Sequence, residues 1–77
     1  MLKETEVLEW IELDSSFIAA AAYDAEGEVI HLRYDDGAEW AYEYCPLEEW
    51  EQLIDPEQSA GKFFHGILKG KPQHRTN

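Results

Sequence analysis

From Glu28 to Tyr34 (EVIHLRY) apolar and polar side chains alternate, with Ile30, Leu32 and Tyr34 on one side and His31 and Arg33 on the other. That period of two marks a half-buried strand. The same period returns in EWAYEYCP, where Trp40, Tyr42 and Tyr44 share one face and Glu39, Ala41 and Glu43 the other. Between the runs, Asp35-Asp36-Gly37 is a tight-turn signal, because Asp tolerates and Gly prefers positive φ, so the two strands form a hairpin. Upstream, Phe17-Ile18-Ala19-Ala20-Ala21-Ala22-Tyr23 admits two conformations. Its alanines favour a helix, capped by Ser16 and stopped by Gly27. A short run, apolar on both alternating faces and followed at once by a strand, fits a covered strand whose small side chains let a helix approach closely, and strand is the expectation taken forward. Lys3 to Leu13 is ambiguous: Val7, Trp10 and Ile11 fit a helical face, and Trp10 to Leu13 equally fits a strand.

After Tyr44 the period changes. Pro46 is suited to the start of a helix, where its missing N–H costs nothing. Leu47, Trp50, Leu53 and Ile54 follow at helical spacing, with Glu48 and Glu49 in the first turn, where negative charge suits the dipole. Asp55-Pro56 stops this helix. A second begins either at Asp55, with Gln58 at the reciprocal capping position, or at Ser59, and carries Phe63, Phe64, Ile67 and Leu68. Gly70 and Pro72 end it, and QHRTN reads as a loose tail. The expected fold is α+β: a three-stranded antiparallel meander, with an optional N-terminal strand, followed by two short helices packed on one face. Trp40, Tyr42, Tyr44, Trp50, Leu53, Phe63, Phe64 and Ile67 are its expected core.

With 77 residues the chain is one domain with a single small core, leaving no room for a separate catalytic domain. The core is expected over about 10–70, with 71–77 a flexible basic tail. Its 44% apolar content supports folding despite a net charge of -11. One cysteine and the absence of a leader or a long apolar stretch lead to the expectation of a reducing cytoplasm and no membrane role. The charge is unevenly placed. All 17 acidic residues lie between Glu4 and Glu57, whereas Gln58 to Asn77 holds Lys62, Lys69, Lys71 and Arg75 and no acid. Either the basic end lies against the acidic body of its own fold, or the two signs meet different partners.

With the Tyr-x-Tyr strand placed between a glycine turn and a proline-started helix, the chain resembles the KTSC domain family. The matching residues run from Trp10 to about Lys69: Ser15-Ser16, Tyr23-Asp24, Gly37, Tyr42 and Tyr44, Pro46, then Ser59-Ala60-Gly61 with Phe64 and Ile67. The resemblance implies a single KTSC-like domain over 1–77, of a kind found alone in bacterial and phage proteins and at the C-terminus of some lysyl-tRNA synthetases. That fusion implies RNA as a partner.

Two interaction surfaces are candidates. Lys62, Lys69, Lys71 and Arg75 are the expected nucleic-acid contacts, since cations near the last helix suit phosphates. Glu48, Glu49, Glu51, Asp35 and Asp36 are the candidate acidic surface, which would engage a basic protein or imitate a phosphate backbone as an inhibitor. Cys45 precedes a helix N-terminus, but Glu48 and Glu49 oppose a thiolate there. His31, His65 and His74 are far apart, and no catalytic motif or metal-ligand spacing occurs, so no enzyme activity, cofactor, metal or small-molecule substrate is expected.

Overall fold

A computed structural model describes residues 8–77. Five strands form one antiparallel sheet in sequence order: β1 (Ile11–Glu12), β2 (Ile18–Asp24), β3 (Val29–Tyr34), β4 (Glu39–Tyr42) and β5 (Gln73–Arg75). Helices α1 (Leu47–Ile54) and α2 (Ala60–Gly66) and a 3-10 turn (Leu68–Gly70) lie between β4 and β5. The three-stranded meander is therefore corrected to five strands. The optional N-terminal strand is β1, two residues long, while Val7 of the alternative helical face lies outside the described residues. The tail expected to be flexible instead supplies β5, which aligns Gln73, His74 and Arg75 with Tyr42, Ala41 and Trp40. Three residues without apolar side chains carry little strand signal. Their pairing comes from the β4 edge they satisfy.

The alanine run is a strand, and its mixed pattern has a specific cause. Ile18 aligns with Tyr34 and Ala20 with Arg33, so two steps of β2 oppose one of β3. This bulge at Ala19 turns Ile18 to the same face as Ala21 and Tyr23. That face, continued by Ile30, Leu32, Tyr34, Trp40 and Tyr42, receives Trp50, Leu53, Ala60, Phe63 and Leu68 from the helical segment. Of the expected core residues, Tyr42, Trp50, Leu53 and Phe63 are buried, and Trp40, Phe64 and Ile67 pack against them. Cys45 and Leu68 join them with no exposed surface. The opposite face carries Ala20, Ala22 and Ala41, all buried, with His31 aligned between Ala22 and Ala41. There the Arg33 guanidinium lies 4.2 Å from the centre of the Trp10 ring and bonds Glu39 at 2.8 Å. Only Ala21 of the run serves a helix approach, so the alanine argument holds for one face.

The second helix starts at Ser59, not Asp55: the Ser59 hydroxyl accepts from the Lys62 N–H at 3.2 Å. No described helix is long and apolar enough to cross a membrane.

Candidate functional site

Most residues of the recognised pattern build the fold. The Ser15 hydroxyl accepts from the Phe17 and Ile18 N–H groups at 3.3 Å each, steering the chain into β2. Asp24 accepts from Glu26 and Gly27 across the β2–β3 turn. Gly37 holds φ at 93°, where a side chain would be strained. Gly61 lies so close to Phe17 that a Cβ would come within 3.3 Å of its ring. The Tyr23 hydroxyl donates to the Cys45 carbonyl at 2.6 Å while its ring stacks on Trp50 at 5.3 Å. Tyr42 and Tyr34 share a hydrogen bond between their hydroxyls, and Phe64 stands edge-on to both. Burial raises both phenol pKa values, so the pair stays protonated.

Tyr44 is the exception. The strand stops at Tyr42, and Tyr44 takes φ 61°, in the left-handed region, with its residue surface 68% exposed. The expectation that Tyr44 belongs to the core is corrected: a strand continued to 44 would keep its ring beside Tyr42, and the left-handed residue breaks that alternation. The reversal also turns Cys45 inward, where its N–H reaches the Glu28 carbonyl at 2.8 Å and its thiol the Tyr42 carbonyl at 3.3 Å. Burial pushes the Cys45 thiol pKa up, partly offset by a backbone hydrogen bond and by Lys71, which suits a packing residue rather than a nucleophile. Pro46 then caps α1, its carbonyl accepting from Glu49 and Trp50, and Leu47 emerges 51% exposed.

Lys71 fixes this corner from across the fold. Its ammonium donates to the Tyr44 carbonyl at 2.5 Å and faces Glu49 at 2.9 Å, an ionic contact rather than a directed hydrogen bond to that oxygen. The two side chains are only 18% and 22% exposed. So, among the described residues, the basic end meets the acidic body at Lys71 and Glu49, with His74 Nδ1 also 3.8 Å from Glu43, and two of the candidate contacts from opposite surfaces neutralise each other. Around the corner, Glu48 and Glu51 are exposed on α1, which carries no basic residue. Asp35 and Asp36 are exposed in the β3–β4 turn, where Asp36 accepts from the Ala38 N–H. They lie at the other end of β3 from the Glu28–Cys45 bond that begins the approach to α1, about 20 Å along a six-residue strand. The structure thus does not join them to Glu48 and Glu51.

The remaining cations sit on separate elements. Lys62 is exposed on α2 beside a shallow trough that also contains Glu57. Lys69 is exposed in the 3-10 turn, and Arg75 on β5 donates to the Asn77 carbonyl at 2.8 Å. The sequence pattern placed Leu47 on the buried stripe and Ile11 on an ambiguous helical or strand face, whereas both are exposed. For Leu47 the only signal was position, since the first residue of a helix after proline is free to point outward. Among the described residues, no group of three His, Cys, Asp or Glu side chains could hold a metal.

Comparison with known proteins agrees with this architecture. The KTSC domain model matches residues 14–71. A protein of Tsukamurella paurometabola is 39% identical over 57 residues, covering 74% of this chain and 84% of its own length. An uncharacterized protein of Stutzerimonas stutzeri is 31% identical over 64 residues, covering 83% of this chain and 86% of its own. The crystal structure of a KTSC domain protein from Yersinia pestis superposes with a TM-score of 0.81 at 20% identity, covering 92% of this chain and all of that one. The chain belongs to the KTSC domain family.

Proposed function

We propose that this domain is a non-enzymatic binding module that docks a basic protein on the exposed side of α1. One observation carries the proposal: Tyr44 and Leu47, two large apolar side chains left in solvent, flank Pro46 at the start of a helix whose exposed positions include Glu48 and Glu51. An aromatic ring on a braced backbone loses little entropy on contact, which is the property of an interface anchor. The carboxylates set the sign of the partner and speed its approach.

A second reading rests on Lys62 and Lys69, whose ammonium groups have no acidic partner among the described residues. It has RNA held by the basic segment. With Lys71 taken up by Glu49, three of the four candidate cations are left, too few for tight phosphate binding against a net charge of -11.

The two readings separate in a capture experiment from nuclease-treated and untreated lysate at low salt, eluted with rising salt. The protein reading expects a basic protein, recovered after nuclease treatment and lost with Leu47→Lys or with Glu48→Lys and Glu51→Lys together. RNA recovered from untreated lysate and lost with Lys62→Glu and Lys69→Glu together would replace it.

A further inference from the structure

After Leu68 no side chain is buried, and Lys71 alone is partly covered; every other residue from Lys69 onward is exposed. β5 is thus held without an apolar anchor. What attaches it is backbone pairing with β4 and the Lys71 ammonium. The Glu43 N–H donates to the Pro72 carbonyl at 2.9 Å, and the Thr76 N–H to the Glu39 carbonyl at 2.8 Å. His74, two residues from each, has its N–H and C=O turned toward β4 by the alternation of a strand. The contact of His74 with Glu43, at 3.8 Å between exposed side chains, adds little. Elements with solvent-exposed hydrogen bonds and few buried apolar contacts open at less cost than global unfolding, so β5 can leave the sheet while the core stays folded.

The same segment holds the Tyr44 corner. Pro72 takes the Glu43 N–H just before Tyr44, and Lys71 donates to the Tyr44 carbonyl at 2.5 Å and pairs with Glu49 on α1. The Gln73 amide donates to the Lys69 and Lys71 carbonyls at 3.1 and 2.9 Å, which ties Lys71 to β5. Beyond Tyr44, Cys45 is fixed to the core by the Glu28 carbonyl and the Tyr23 hydroxyl. Tyr44 itself, at φ 61°, keeps a conformation that persists only where its surroundings impose it. We infer that residues 71–76 form a strap that sets this conformation: Tyr44 and Leu47 are presented together while β5 is paired, and release of the strap relaxes Tyr44 and switches docking off. Lys71 is then a positioning residue, acting through the Tyr44 carbonyl. The inference rests on the proposed docking at Tyr44 and Leu47 and adds its regulation, since partner binding and strap closure must favour each other equally.

The test uses amide exchange and chemical shifts of the full 15N-labelled chain. In the parent, the Glu43 and Thr76 amides should be at least tenfold less protected than those of Ile30 and Leu32 in the central strand, through an opening insensitive to dilute urea. His74→Pro removes one N–H from the strap, alters no buried side chain and leaves Lys71, Glu49, Tyr44 and Leu47 in place. It should lower protection at Glu43 and Thr76 at least tenfold further, shift the Tyr44, Cys45 and Leu47 amide resonances, and reduce capture of the basic protein at least fivefold, with Ile30 and Leu32 still protected. Equal protection of all four amides in the parent, or their joint loss in His74→Pro, would make β5 part of the cooperative core and overturn the strap. So would a variant in which Thr76 is freed and the Tyr44 to Leu47 resonances stay where they were. Capture lost with Leu47→Lys but unchanged in His74→Pro would refute the strap while keeping the docking reading. A parent chain that captures nothing would remove the docking reading, and the exchange and shift results would still decide whether the strap sets the corner.

Discussion

The two tyrosines of the Tyr-x-Tyr pair should respond unequally to mutation, Tyr44 hardly at all and Tyr42 strongly. Tyr44 holds φ at 61°, a backbone that costs a residue with a Cβ about 1–2 kcal/mol, and glycine removes that cost. Glycine also returns about 0.4–1 kcal/mol of freedom to the unfolded chain. About a third of the residue's surface is covered. Of the 150–250 Å² an aromatic side chain can bury, this leaves about 65 Å², or about 1.5 kcal/mol as an upper bound. The three contributions nearly cancel, so Tyr44→Gly should stay within about 1 kcal/mol of the parent. Tyr42, 1% exposed and bonded to Tyr34, loses a full aromatic side chain in Tyr42→Ala, at about 3–5 kcal/mol. That is about half of the stability available to a domain of this size, about 4–12 kcal/mol. Urea unfolding followed by tryptophan fluorescence measures both variants. A loss above about 2 kcal/mol in Tyr44→Gly would mean that the ring is packed and that the strand continues past Tyr42, refuting the assignment of Tyr44 to the surface.

Three further outcomes follow from the same structure. Lys71→Met should cost about 2–3 kcal/mol by stranding the partly buried Glu49 carboxylate, and Glu49→Met in the same chain should recover most of it, which a double-mutant cycle in urea reads directly. Gly66→Ala, inside α2 with nothing within 4 Å of the added methyl, should raise stability by about 0.5–1 kcal/mol, whereas Gly37→Ala at φ 93° should lower it by about 1–2 kcal/mol; thermal unfolding ranks the pair. Burial, reinforced by His74 and opposed by Asp24, depresses the His31 pKa in the folded chain. The unfolded chain therefore takes up its proton first, and stability falls as pH drops below about 6.5, by at most about 1.4 kcal/mol per pH unit from this group; His31→Gln should flatten that slope in urea titrations between pH 7.5 and 5.

The β3–β4 hairpin and α1 were legible because each carries a single clean period and a local signal, Gly37 for the turn and Pro46 for the helix start; for the second helix Ser59 was one of two possible starts, and α2 ends at Gly66, short of the expected Gly70, with Leu68–Gly70 in a 3-10 turn. What escaped were features without a period. β5 is three exposed polar or charged residues, and only the unpaired edge of β4 makes them a strand. Tyr44 extends a perfect alternation, and the chain leaves the sheet there for a reason local pattern cannot carry, the need to turn Cys45 and Pro46 back toward the Glu28 end of β3. Contact between the basic end and the acidic body was one of two readings the charge asymmetry allowed, and Lys71 as the cation with Glu49 as its partner depends on a pairing 22 residues apart in sequence.

The most direct test of the docking surface is photo-crosslinking in cells with a benzophenone amino acid placed singly at positions 44, 47, 62 and 69. The account predicts a discrete adduct with a basic protein from positions 44 and 47, lost with Glu48→Lys and Glu51→Lys, and only background from 62 and 69. Adducts to RNA, or to any protein, from 62 and 69 with none from 44 or 47 would place the working surface on the basic segment and contradict it.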